Sequence, residues 1–152
     1  MTLKGFSLIE LMLAGAVFAV FATGIIGVLL NGFEVDRLGE ETTIATAYAT
    51  EGLEAVRSIK AKSFDDLTMT GATGLAREHD DWVLTGNENT SGKYTRTIAI
   101  TEVNRDWDGT IDERSGFDVD PDTKRVTVTV SWNVVPSRTD SVVLNTFFTR
   151  WK

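Results

Sequence analysis

The 152-residue sequence contains no cysteine, a single histidine and fewer cations than anions. Without cysteine there is no disulfide framework, no thiol nucleophile and no cysteine-ligated metal site. A domain placed outside the cytoplasm would need some other staple for its loops. The lone histidine, His79, stands in the polar run Arg77-Glu78-His79-Asp80-Asp81 with no companion to build a zinc site or a triad. We read it as a solvated surface residue. No other nucleophile is paired with a base, so no catalytic residues and no enzymatic activity are expected. Fifteen Lys and Arg against 22 Asp and Glu give a formal net charge of −7, which disfavours direct contact with a nucleic acid backbone.

What is present is unevenly spread. Apolar residues form 42% of the chain and charged residues 24%, ordinary values for about one folded domain. The first 33 positions nevertheless hold a long uncharged stretch, and the remainder reads as a soluble domain. Residues 11–33, which follow Glu10, are 23 consecutive uncharged positions. As a helix at 1.5 Å per residue they would span roughly 34 Å, enough to cross the hydrocarbon core of a bilayer. Lys4 precedes the run while Glu34 and Asp36 follow it, so the amino terminus is expected in the cytoplasm and the rest outside. The run exceeds the apolar region of about 7–15 residues found in a cleaved secretory signal and is expected to be retained. An ordinary anchor gives no reason for Glu10, because a carboxylate in apolar surroundings is costly without a partner.

The segment Lys4-Gly5-Phe6-Ser7-Leu8-Ile9-Glu10 resembles the class III signal of type IV prepilins and of type II secretion pseudopilins. The resemblance implies that a membrane-embedded aspartyl prepilin peptidase cuts between Gly5 and Phe6 and methylates the new amino terminus of Phe6. Residues 1–5 are then a leader, residues 6–33 an apolar helix half that lies in the membrane before assembly and in the filament core afterwards, and residues 34–152 a pilin globular domain. The implied partners are copies of the same chain and other pilins, the peptidase, an inner-membrane assembly platform and the lipid bilayer. Cutting ahead of the apolar run creates a cationic amine four residues from Glu10. In the family this glutamate meets the amine of a neighbouring subunit, and opposite charges at close range in low dielectric offset much of its desolvation.

Beyond residue 33, Leu38, Ala45, Tyr48, Ala49, Leu53, Val56 and Ile59 recur at helical spacings, while Glu40, Glu41, Glu51, Glu54, Arg57 and Lys60 supply polar positions. No proline interrupts residues 6–62, so one helix of roughly 57 residues is expected, ending near Ser63-Phe64-Asp65-Asp66. Gly24 and Gly27, with Gly15 and Gly32 nearby, permit either close helix contacts or local unwinding.

Residues 93–103, 124–134 and 141–151 read as strands. In the second, Val126, Val128, Val130, Trp132 and Val134 alternate with polar residues, and a turn at Pro136-Ser137 precedes the third. The expected fold is α+β, a long amino-terminal helix packed against a carboxy-terminal antiparallel sheet. Residues 126–151 also resemble the terminal hairpin of minor pilins and minor pseudopilins.

The segment between the first two strands has the spacing of an EF-hand-type calcium loop. Asn104, Asp106 and Asp108 would ligate through side chains, Thr110 through its carbonyl, and Asp112 directly or through water, with Gly109 at the sharp turn. The twelfth position holds Ser115 in place of a bidentate glutamate, leaving Glu113, Asp118 or Asp120 as substitutes. Two readings stand, a loop stapled by structural calcium and a solvated acidic loop with no cofactor required.

The expected function is that of a structural subunit of a type IV pilus, major or minor, with a type II secretion pseudopilin as the near alternative. From a different class comes a membrane-tethered or tip-located adhesin, in which Trp82, Trp107 and the acidic loop contact a ligand. The expected location is the bacterial inner membrane as a single-pass precursor, then an extracellular pilus or a periplasmic pseudopilus.

Overall fold

The computed structural model describes residues 5, 7–111 and 118–150. It divides into two compact units, Met1–Glu40 and Glu41–Lys152. A single helix, α1 (Leu8–Lys62), contributes to both. A 3₁₀ turn (Phe64–Asp66) follows, then β1 (Thr70–Glu78), β2 (Asp81–Thr85), β3 (Asn89–Ser91), β4 (Tyr94–Arg105), β5 (Asp118–Val135) and β6 (Arg138–Thr149). The protein is therefore α+β, a long amino-terminal helix packed against a six-stranded antiparallel sheet.

In the first unit α1 is long and apolar enough to cross a membrane. Leu13, Phe18, Phe21, Ile25 and Leu30 are all exposed there, so nothing within the unit covers its apolar surface. The helix continues without a break through Gly24 and Gly27. The Thr23 hydroxyl donates to the Ala19 carbonyl at 2.8 Å, which satisfies the one hydroxyl in the middle of the run without help from solvent.

In the second unit the helix buries Ala45, Ala49, Gly52, Ala55, Val56 and Ile59. Four of these six are alanine or glycine at three- and four-residue spacings, which lets the helix backbone approach the sheet closely. The facing layer consists of Ile98, Ile100 and Val103 from β4 and Val126, Val128, Val130 and Trp132 from β5, all nearly inaccessible to solvent. Burying each such Val or Ile is worth about 1.5–3 kcal/mol relative to exposure. One position departs from the sequence pattern. Glu41, assigned there to the polar face, is buried, because the carboxylate is met by Lys93 and Trp132 from the sheet.

The sheet order is β2-β1-β4-β5-β6, with β3 also paired to β4. Register places Ile98 opposite Val128 and Val128 opposite Leu144, so the apolar face of β5 meets apolar residues on both neighbours at its centre, while Val130 faces Arg96 on β4 and Val126 and Trp132 face Thr146 and Asp140 on β6. The three expected strands are present as β4, β5 and β6, each with shifted ends. β5 is the most extended, starting at Asp118 and continuing to Val135.

Strands β1, β2 and β3 are not visible in the sequence. β1 is built from Thr-Gly-Ala-Thr-Gly-Leu-Ala, residues of weak strand preference, and it forms through pairing with β2 and β4. The glycine at position 74 has a packing reason: a Cβ there would lie 2.6 Å from the Glu88 carbonyl oxygen and 2.9 Å from that of Thr85. The β1–β2 turn at His79 and Asp80 has φ of 49° and 70°, a left-handed pair that usually calls for Asn-Gly. His79 is exposed in that turn.

Candidate functional site

The amino-terminal site starts from two residues three positions apart. The Leu11 amide donates to the Ser7 carbonyl at 3.2 Å, placing Ser7 at the boundary where α1 begins. The Ser7 amide in turn donates to Glu10 Oε2 at 3.1 Å. Helix starts leave their first amides without intrahelical acceptors, and a glutamate at the third helical position can reach back to satisfy one of them. Ser7-Leu8-Ile9-Glu10 is the sequence form of that device, and it is the local signal that a reading of Glu10 as a charge alone misses. Glu10 shares an open groove with Leu13, Ala14, Val17, Phe18 and Phe21, so its carboxylate borders a wall of hydrocarbon. Gly5 is exposed, and Phe6, the other half of the expected cut, lies outside the described residues.

The acidic loop folds back on its own backbone. The Asp106 amide donates to the Thr110 carbonyl and the Gly109 amide to the Asp106 carbonyl, each at 3.0 Å. Asp106 Oδ1 accepts from the Asp108 and Thr110 amides at 3.2 and 2.9 Å, and Asp108 Oδ1 accepts from the Thr110 amide at 2.9 Å. Gly109 carries a φ of 86°, the left-handed conformation that glycine adopts without strain. The facing carboxylates titrate apart. A hydrogen bond with Asp108 pushes Asp106 above the usual carboxylate range, while the same bond and those from Thr110 hold Asp108 below it.

Arg105 closes the base of this loop. Its guanidinium donates to Asp120 Oδ2 at 2.6 Å, to the Gly109 carbonyl at 2.7 Å and to Thr123 Oγ1 at 3.2 Å. Burial alone would raise Asp120, but hydrogen bonds from Thr123 and Arg105 outweigh it and hold the carboxyl below its ordinary value. Of the sequence-derived ligands, Asn104, Asp106, Asp108 and Thr110 are on this loop or at its start. Asp112 and Glu113 lie outside the described residues. Asp120, a substitute ligand by sequence, is engaged by Arg105. Among the described residues, no group of three or more His, Cys, Asp or Glu side chains is placed to hold a metal. Trp107 stands at the loop tip with 92% of its surface exposed, whereas Trp82 lies on β2 beside the Arg77 guanidinium.

Two polar clusters tie the helix to the sheet, and neither was legible as a site. Arg96 on β4 is 1% exposed. It donates from Nε to Asn89 Oδ1 at 3.2 Å and from a terminal nitrogen to the Tyr48 carbonyl at 3.0 Å, and its guanidinium lies 4.0 Å from the Tyr48 ring centre. Asn89 Nδ2 donates to the Tyr48 hydroxyl at 2.7 Å. Gly52 makes room, since a Cβ there would approach Arg96 Cδ and Val128 Cγ1 to 3.0 Å. The second cluster joins Glu41 to Lys93 Nζ at 2.6 Å and to Trp132 Nε1 at 3.0 Å. In the sequence, Arg96 interrupts the series Tyr94, Ile98, Ile100 at an inward position, and that inward register was the available signal.

Compared with known proteins, the chain matches no family model, no curated protein and no solved structure.

Proposed function

We propose that this chain is a structural subunit of a type IV pilus, trimmed between Gly5 and Phe6 and assembled through the apolar part of α1. The observation that carries the proposal is the coincidence, within six positions, of Gly5-Phe6 and a lone carboxylate, Glu10, at the start of an uncovered apolar helix. An apolar surface of this length has to be covered by lipid or by other helices. A subunit stored in a membrane and then packed among copies of itself uses both covers in turn. Lys4 on the near side and Glu34 and Asp36 on the far side favour a cytoplasmic amino terminus. A type II secretion pseudopilin shares every one of these features.

Mass spectrometry of the mature protein tests the proposal. The expected mass lacks residues 1–5 and carries one methyl group on Phe6. An intact leader on filament-bound protein would overturn it. One observation favours the adhesin reading as a second possibility, the almost fully exposed Trp107 at a loop tip. Labelling the subunit separates the cases: a major pilin decorates the whole fibre, a tip adhesin only its end.

The acidic loop enters the proposal as a turn that requires no cofactor. Its carboxylates already accept backbone amides, and the Arg105 guanidinium at its base repels a second cation. Millimolar calcium, the range that extracellular modules bind, is therefore expected to leave the melting temperature unchanged within about a degree. A rise of several degrees, reversed by a chelator and absent in Asp106→Asn, would make calcium the staple of the loop.

A further inference from the structure

We propose that the open edge of β6 pairs with β6 of a second copy, antiparallel about a two-fold axis at Asn145, so that two six-stranded sheets join into one. The pairing does not rest on the filament reading above. β6 ends the sheet order, and among the described residues no strand lies on its far side. The Arg150 amide donates to the Asp122 carbonyl of β5 at 2.7 Å. By the alternation of an antiparallel ladder, Phe148, Thr146 and Leu144 also face β5, while Phe147, Asn145 and Val143 turn their amides and carbonyls outward. The Ser141 amide agrees with this order, being met by Asp140 Oδ1 at 3.1 Å. Native edge strands are blunted by proline, by charge or by a bulge. Residues 141–149 contain no proline, glycine or charge, and their pairing with β5 runs without a bulge. Val143 and Phe147, across from Thr129 and Arg125 on the sheet face away from the helix, are 54% and 42% exposed.

Charge selects a second copy as the occupant and sets the register. With the axis at Asn145, Val143 lies opposite the second copy's Phe147 and Asp140 opposite its Arg150, once on each side of the axis. Moving the axis to Leu144 would set Arg138 against Arg150, and moving it to Thr146 would set Arg150 against Val142. Opposite charges and apolar pairs directly across a ladder stabilise it, whereas like charges destabilise it. The strand is thus complementary to itself in one register. A two-fold axis perpendicular to the sheet places residues 41–62 of both copies on the same face, running in opposite directions. The pair therefore joins copies whose helices are antiparallel, and not neighbours within one filament.

Cross-linking of the full-length chain in detergent solution tests the pair, because a chain without cysteine lets a single introduced thiol report. In the joined sheet Asn145 lies about 5.5 Å from its own copy, Cα to Cα, within the roughly 4.4–6.8 Å that a disulfide spans. Val143 and Phe147 each lie roughly 13 Å from their own copies. Asn145→Cys is expected to form covalent dimers at least tenfold faster than Val143→Cys or Phe147→Cys alone, and a mixture of the last two is expected to give the crossed dimer. Adding Asp140→Arg to Asn145→Cys is expected to slow the cross-link about tenfold without lowering the melting temperature. Equal rates at the three positions would mean aggregation without register and overturn the pair. So would an absent cross-link at Asn145→Cys in protein that melts as the native chain does; if that variant melts lower, absence of the crossed dimer overturns it instead. Cross-linked dimers in detergent support the pair whether or not filaments form, and filaments from a chain that fails to cross-link leave the filament reading standing while the pair falls.

Discussion

Replacing Arg96 with alanine is expected to remove about 3–5 kcal/mol from the unfolding free energy of the sheet-bearing unit, a large share of the 5–15 kcal/mol typical of a domain. The ion pair with Glu51 is not the main reason. It is 3.4 Å long and the Glu51 side chain is 50% exposed, so water replaces the lost partner at small cost. The loss comes from the buried side. Asn89 and the Tyr48 carbonyl lose their donor, the Tyr48 ring loses the guanidinium stacked 4.0 Å away, and a cavity opens over Gly52, where relaxation is limited by close packing. A urea titration should show a lower midpoint with an unchanged slope. Glu51→Ala should cost less than about 1 kcal/mol by the same measurement. Comparable losses for the two variants would show that the surface ion pair, and not the buried network, holds the helix to the sheet.

Glu41→Ala should have the next largest effect, about 2–3 kcal/mol. Trp132 is 3% exposed, and its indole N–H points at Glu41 Oε2, so deleting the carboxylate strands a donor where water cannot follow. Lys93 is less affected, because its side chain is 40% exposed and can be hydrated. Trp132→Phe in the Glu41→Ala background should recover part of the loss, since both polar partners are then absent and the packing volume is largely kept. If the double variant is as unstable as the sum of the two single changes, the two side chains are not energetically coupled.

Much of the scaffold could be read from spacing alone. Residues 8–62 contain no proline and carry apolar positions at helical intervals, and α1 covers that range. Val126 to Val134 alternate with polar residues, and the alternation became the buried face of β5. Glu10 stood out because any charge inside an apolar run does. β1 escaped notice because Gly71, Gly74, Ala72 and Ala76 carry no strand signature, and its pairing depends on β4, more than twenty residues away. Arg96 and Glu41 escaped for a related reason. Each looks like an ordinary polar residue until the opposite element supplies its partners.

The amino-acid sequence by itself determined the long helix, the terminal hairpin and the lone carboxylate at the helix start, since each depends on residues only a few positions apart and on the fixed periods of helix and strand. Only the tertiary structure decided that Arg105 closes the acidic loop, that Gly52 clears space for a buried arginine, and that Glu41 turns inward to a lysine and a tryptophan. Those choices belong to pairs separated along the chain by up to 91 positions, and burial fixes the partner of a polar group only after the helix and the sheet have met.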